Sequence, residues 1–548
     1  MATSSGLSPA KVILLAVQFA ASTHISALRQ LTAVHPTVLN LVLSLRILLS
    51  FLPESTEPAL YTSYVQNLAR KTFSELDGTD VDISAVEKLT DSEARRRVRK
   101  LELLPLGYTQ ASHEPTEDAL TLFLIHRAHK IDAETGLLPL LPPLLEPFLD
   151  HSEYIRTWMI STLLPLLRLN YEYYPRDEPK FSLEVFERLG ENVGASLLLS
   201  KVGQRTHERD LADETVGRDL RGLVGPWMYG NNKGKRRKLV DNRRRTSVVA
   251  RLEEVRSNEE AVNQFEAEGL HDWQQVYEWL LSEAAGDFFI VVHAVEHWDG
   301  PGDVDYGDYD EGQEHLDEAT QQSLKTQYAQ AAFAAIYATK ASSSKAFKGA
   351  YRILDRIAEL MDLPRPPEFD AAAGSLPQIA QPSAIIDRLS NSHLVHNALL
   401  LPSNPLTRPE EQSLTLLFAL LLSAFTLTKL GAPFSVMRVA ELYLSGDEQL
   451  QKVELQRGIR NLVSGAKKDD QEWMAIRASI LWLWGWGKEY QSQSNTDGAK
   501  VQQGGGVFGK VEKVFLETEI LRAFLSGTRM STPRLILNLT DLSPGART

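Results

Sequence analysis

Hydrophobic positions recur along this chain at the spacing of one helical face. Val436, Val439, Ala440, Tyr443 and Leu444 fall at i, i+3, i+4, i+7 and i+8, which predicts an amphipathic helix. Trp473, Ile476, Ile480, Leu483 and Trp484 repeat that pattern, and Val511, Val514, Phe515 and Leu521 predict another helix. Ile155, Trp158, Met159, Leu163, Leu166 and Leu167 share a face, with Pro165 expected to interrupt and kink the run. Tyr328–Thr339 is alanine-rich and intrinsically helical. Strand signals are scarce: Phe288–Val292 reads as a strand or equally as a buried helical turn. An all-α fold follows, either a helical bundle or a solenoid. Tyr328–Thr339 followed by Lys345–Met361 has a tetratricopeptide rhythm, but no fixed period recurs. At this length the expectation is an irregular α-helical solenoid of stacked helix pairs.

The punctuation suggests four parts. Residues 1–201 form an N-terminal helical segment, and 202–248 a basic, glycine-containing loop region. A second helical segment spans 249–527, with an acidic loop at 299–315 and a glycine-rich loop at 487–510. Residues 528–548 are expected to be a loose tail.

Three apolar stretches raise the question of a membrane. Val12–Ala21, after Lys11, superficially resembles a signal peptide. Gln18 interrupts it, however, and Ile25, Leu28 and Leu31 carry the stripe onward, so an amphipathic first helix fits better. Val38–Leu52 contains Asn40 and Arg46, and Leu414–Leu427 contains Ser423. Both fall short of the roughly 20 apolar residues of a bilayer crossing, and an arginine at mid-span costs about 2.5–3.5 kcal/mol. Buried helices are the better reading, with any membrane association peripheral and through partners.

Composition narrows the chemistry. The chain has 548 residues, 43% hydrophobic and 24% charged, with no cysteine. Disulfides, thiolate metal sites and cysteine nucleophiles are therefore excluded. A net charge of −13 argues against bulk electrostatic binding of nucleic acid.

Three local patterns suggest chemistry. His293-Ala-Val-Glu-His297 matches the H-x-x-E-H pattern of inverted zinc proteases. On a helix both histidines could reach one metal, with Glu296 as general base. Trp298, Gly300 and Pro301 follow at once, so the motif is expected at a frayed helix end, without an evident further ligand. A helix-terminal histidine pair is the preferred reading. The basic run Lys233, Lys235, Arg236, Arg237, Lys238, Arg243, Arg244 and Arg245 resembles a nuclear-localisation or nucleic-acid patch. No aromatic residue is interleaved with it; an exposed loop touching an acidic partner or an anionic surface serves as well. The acidic residues Asp303, Asp305, Asp308, Asp310 and Glu311 lack EF-hand spacing and read as a solvated loop. Gly504, Gly505 and Gly506 are no phosphate cradle, and no nucleotide-binding or nucleophile-elbow motif occurs.

Several segments carry a family resemblance. They are Arg46–Ser55 (RILLSFLPES), Arg156–Pro175 (RTWMISTLLPLLRLNYEYYP), Leu223–Tyr229 (LVGPWMY), Trp298–Asp303 (WDGPGD) and Trp482–Trp486 (WLWGW). Together they resemble fungal members of the Sec-thirty-nine domain family, which includes the secretory-pathway tether subunit of the Dsl complex and, in animals, the neuroblastoma-amplified sequence protein. The resemblance runs from about residue 10 to about residue 527 and fades over Met530–Thr548. It implies an irregular α-solenoid on the cytoplasmic face of the endoplasmic reticulum, with no enzymatic activity and no cofactor. The implied role is vesicle tethering in Golgi-to-endoplasmic-reticulum transport and SNARE assembly. The implied partners are an endoplasmic-reticulum SNARE and other tether subunits. A nuclear or nucleic-acid adaptor acting through residues 233–245 is the alternative.

Overall fold

The computed structural model describes residues 6–73, 81–108, 118–204, 212–232, 273–309, 318–379, 389–464, 468–486 and 504–527. Among the described residues there is no strand: the fold is all-α and helical-repeat-like. The expected tail at 528–548 lies outside the described residues, as do 310–317 and 487–503 of the two expected loops.

The chain divides into two compact units. The first comprises Met1–Lys201, Asp219–Asp272 and Val304–Glu314; the second comprises Val202–Arg218, Trp273–Asp303 and His315–Thr548.

In the first unit, α1 (Pro9–Ala21) starts with a proline, whose missing N–H is no loss in a first turn. It buries Val12, Leu15, Ala16 and Phe19. The apolar stripe does not continue as one helix. The chain turns at Thr23, with φ +58°, and Ile25, Leu28 and Leu31 belong to α2 (Ile25–Val34). Helix α3 (Leu41–Phe51) is capped by Asn40, whose side chain accepts the Leu43 N–H at 3.0 Å. Helix α4 is Thr62–Arg70, and α5 (Asp91–Val98) opens on a reciprocal Thr90–Glu93 capping box. Helix α1 packs against α2, α3 and α5, and α3 against α6 (Ala119–Thr135).

Helix α7 runs without a break over 153–173, through π-helical turns at Met159–Leu163 and Arg168–Tyr173. Pro165 therefore does not interrupt it. A proline ring collides with the carbonyl four residues back, and a widened turn before it relieves that contact. Beyond α8 (Glu191–Lys201), the stretch expected to be a loop is helical over 212–232. Ala212–Asp219 leads into α9 (220–232), whose first turn, Leu220–Val224, is also π-helical.

The second unit contains α10 (273–286), α11 (Phe288–His297), α12 (Glu318–Ala338) and α13 (Ser344–Leu360). It continues with α14 (Glu411–Lys429), α15 (Val436–Ser445), α16 (Glu448–Ser464), α17 (Asp470–Gly485) and α18 (Lys513–Gly527). The ambiguous Phe288–Val292 is the start of α11, capped by Asp287 accepting the Phe289 N–H at 3.1 Å. Helix α13 packs on α11, α12 and α14, and α14 packs on α15. Helix α14 is long and apolar enough to cross a membrane, yet 78% of its apolar window is buried in protein. It is the core helix here: Leu416, Leu417, Leu420, Leu421 and Leu422 are fully buried, each contributing about 1.5–3 kcal/mol of transfer free energy. Helix α18 exists as expected but buries a different face, with Leu516, Ile520 and Ala523 inward and Val514 exposed.

Candidate functional site

The residues that carried the resemblance form buried joints. In Arg46–Ser55, Arg46 donates to the carbonyls of Leu103 (2.7 Å) and Leu104 (2.9 Å). The end of α3 is held from α6: fully buried Arg127 donates to Leu52 O (2.8 Å) and Pro53 O (2.6 Å). Leu52 is the C-cap of α3, and Pro53 O also accepts the Thr56 N–H at 3.1 Å, so Arg127 fastens the helix end and the turn that follows it. Burial pushes the Glu54 carboxyl up, but the hydrogen bond from Lys130 at 2.5 Å, with the Arg127 charge, holds it below its ordinary value.

Arg168 ties the second signature, on α7, to the third, on α9. Its side chain is 6% exposed. It donates to Gly222 O (3.0 Å) and Asp305 O (2.8 Å), and pairs with the Asp305 carboxylate at 2.8 Å. Asp305 N–H in turn donates to Arg221 O at 3.1 Å. Burial pushes the Asp305 carboxyl up, while the Gly307 N–H and Arg168 pull it below its ordinary value. Nearby, Tyr174 donates to the buried carboxylate of Asp219. Trp158 donates to Glu187 at 2.9 Å, and His129 Nε2 lies 2.7 Å from the other Glu187 carboxylate oxygen. In Leu223–Tyr229, Gly225 admits Val304 to within 2.9 Å of where a Cβ would stand. Trp227 is fully buried, edge-on to Phe186 and pressed onto Gly194.

In the second unit, Trp298–Asp303 closes on itself. Trp298 Nε1 donates to Asp303 O (3.0 Å), and Asp299 N donates to the Asp303 carboxylate (3.2 Å). Trp298 stacks with Trp273, and its carbonyl accepts the Tyr328 hydroxyl at 2.8 Å. Asp299 pairs with Arg356. The acidic segment is a loop, but its described part, 299–309, is fastened at these points rather than loosely solvated. In Trp482–Trp486, Trp482 donates to Pro377 O (2.8 Å), Trp484 donates to Val511 O (2.9 Å), and Trp486 stacks on Tyr443. Gly506 N and Phe508 N donate to the terminal carbonyls of α17, Trp484 O (2.9 Å) and Leu483 O (3.2 Å). The glycines of 504–509 thus allow a backbone-on-backbone approach.

His293, Glu296 and His297 lie together on α11, their ligand atoms all within 4.8 Å of one another. The helix end is pinned by buried Trp298 rather than frayed. Glu296 is already engaged: Arg352 pairs with it at 2.7 Å, and His293 Nδ1 lies 3.7 Å away. With one Glu296 oxygen on Arg352, the cluster reads as a packed helix terminus. The run from Lys233 to Arg245 lies outside the described residues. A second basic run, Arg95-Arg96-Arg97-Val98-Arg99-Lys100, was passed over within a predicted helical region. Five cations within six positions, flanked by Asp91, Glu93 and Glu102, are the signal that marks it.

The profile of the family described as secretory pathway protein Sec39 matches residues 13–544. It extends through the tail, where the resemblance was expected to fade after about residue 527. No curated protein and no solved structure matches the chain. The family is one of secretory pathway proteins and not a known family of enzymes. A match over nearly the whole chain, whose signature residues are spent on buried joints, makes this chain a member of the Sec39 family of secretory pathway proteins.

Proposed function

We propose that the chain is a non-enzymatic scaffold subunit of a vesicle-tethering complex on the cytoplasmic face of the endoplasmic reticulum. It acts in Golgi-to-endoplasmic-reticulum retrograde transport and supports SNARE assembly. Membership of a secretory pathway family supports this reading. The observation that carries it is the use made of the signature residues. Arg46, Arg168, Trp227, Trp298 and Trp484 fix helix ends and loops to neighbouring helices. A helical array fixed in this way presents long surfaces and grooves to partner helices. Its proposed partners are an endoplasmic-reticulum SNARE and other tether subunits, and association with the membrane is peripheral. Affinity capture of the full-length chain from a lysate of its own cells, read by mass spectrometry, tests the proposal. Recovery of an endoplasmic-reticulum SNARE with tether subunits is the expected result. Recovery of neither, with nuclear or RNA-binding proteins in their place, would refute it.

A further inference from the structure

The charge on this chain is unevenly placed. The net charge is −13, yet the first 53 residues contain no aspartate or glutamate. They form α1, α2 and α3, and α1 packs against α5. The end of α5 and the turn after it carry Arg95, Arg96, Arg97, Arg99 and Lys100, all exposed, around a fully buried Ala94. No hydrogen bond or ion pair holds any of the five side chains, although Asp91 and Glu93 stand in the first turn of the same helix and Glu102 follows two residues after Lys100. One or two cations in a last turn complement the helix dipole. Five within six positions repel one another, and Asp91, Glu93 and Glu102 offset only part of that repulsion, leaving 91–102 with a net positive charge.

The cluster is held in place. The Thr90–Glu93 capping box fixes the start of α5. Past its end, Arg46 grips the Leu103 and Leu104 carbonyls, and Leu104 N–H donates to Ser50 Oγ at 2.9 Å. At roughly 100° per residue the five cations fan over more than half of the helix circumference. Among the described residues no large exposed apolar side chain lies between Leu60 and Leu137. The surface therefore lacks the buried anchor typical of a protein interface. No aromatic residue is interleaved with the cations for base stacking. A plane of anionic headgroups requires neither, only a broad cationic face.

We propose that α5 and the turn through Lys100 dock the chain on an anionic membrane leaflet. The choice of a membrane rests on the secretory family and not on any particular protein partner. The test is flotation of the full-length protein with phosphatidylcholine vesicles, pure or containing about 30% phosphatidylserine, in about 0.1 M salt. The protein is expected to partition onto the anionic vesicles and to leave them as salt rises. Each cation removed should weaken partitioning about fivefold, so Arg95→Gln/Arg96→Gln/Arg97→Gln together should weaken it on the order of 100-fold. These positions are exposed, so an unchanged melting curve should confirm folding of the variant. A second variant, Lys235→Gln/Arg236→Gln/Arg237→Gln, removes the same number of charges from the other basic run, so the α5 variant must weaken flotation with that run intact. Equal flotation of the α5 variant and the unaltered protein overturns the proposal. So does wild-type binding that ignores phosphatidylserine, or binding lost only with the second variant. Retention on RNA or an acidic peptide without flotation assigns the surface to another partner and equally overturns it. The vesicles contain no protein, so this result is independent of whether tether subunits are captured.

Discussion

Replacing Arg168 by methionine isolates the joint between α7, α9 and the segment after Asp303. Methionine retains much of the aliphatic stem and removes the donors. Two carbonyls, Gly222 O and Asp305 O, then lose a guanidinium partner. A buried acceptor left short of a donor costs about 1–3 kcal/mol. The Asp305 carboxylate is half exposed, so it rehydrates, and loss of the ion pair itself adds at most about 1 kcal/mol. Two acceptors and the ion pair span about 2–7 kcal/mol; the Asp305 O contact is only part-buried and rehydrates, which places the expected loss at the low end, about 2–4 kcal/mol. Asp305→Asn keeps its backbone carbonyl on Arg168 and should cost about 1 kcal/mol or less. Hydrogen-exchange mass spectrometry of peptides covering 164–174 and 220–229 reads the difference locally. Arg168→Met should speed exchange there by about 30-fold to several hundred-fold, and Asp305→Asn by no more than about fivefold. Equal effects of the two substitutions would refute the reasoning, because the ion pair and not the carbonyl clamp would then hold the joint.

Two further outcomes follow from the same geometry. Gly506→Ala drives a Cβ into the Leu483 carbonyl at the end of α17 and should cost at least about 2 kcal/mol in a urea titration; Gly374→Ala, in a helix with open space around it, should be neutral or gain up to about 1 kcal/mol. Similar midpoints for both would contradict the packing described here. Glu54 and Asp305 both have carboxyl groups held below their ordinary values. Their stabilisation is therefore fully present above the unfolded values of about 4–4.3 and is lost as pH falls through the lower folded values. The melting temperature should be nearly flat from about pH 7 to pH 5 and fall below about pH 4. Glu54→Gln/Asp305→Asn should fall less steeply, and an unchanged slope would place the acid sensitivity elsewhere.

Glycine and proline mark the limit of local reading. Residues 212–232 contain Gly217, Gly222, Gly225 and Pro226, a composition that signals a loop by propensity. The segment is nonetheless helical, and its glycines serve close packing: Tyr173 at Gly222 and Val304 at Gly225 occupy the space a Cβ would take. Pro165 misleads in the same way, since a π-helical turn absorbs it. On α18 the repeat itself is present, but two apolar stripes compete. Packing buried the stripe through Leu516 and Ile520 and left Val514 outside.

Helical periodicity and the scarcity of strand signals were enough to establish an all-α chain, because a helix records its buried face locally, every three to four residues. The signature segments likewise pointed to the family before any contact was known. Tertiary structure alone decided what those residues do. Arg168 becomes a clamp only where Gly222 and Asp305 arrive from distant parts of the chain. Glu296 meets Arg352 only because another helix carries it there. The arginines of α5 form a candidate surface partly because α1, packed beside them, brings no acid to add to Asp91 and Glu93. Each of these depends on desolvation and charge between residues far apart in sequence, which folding brings together.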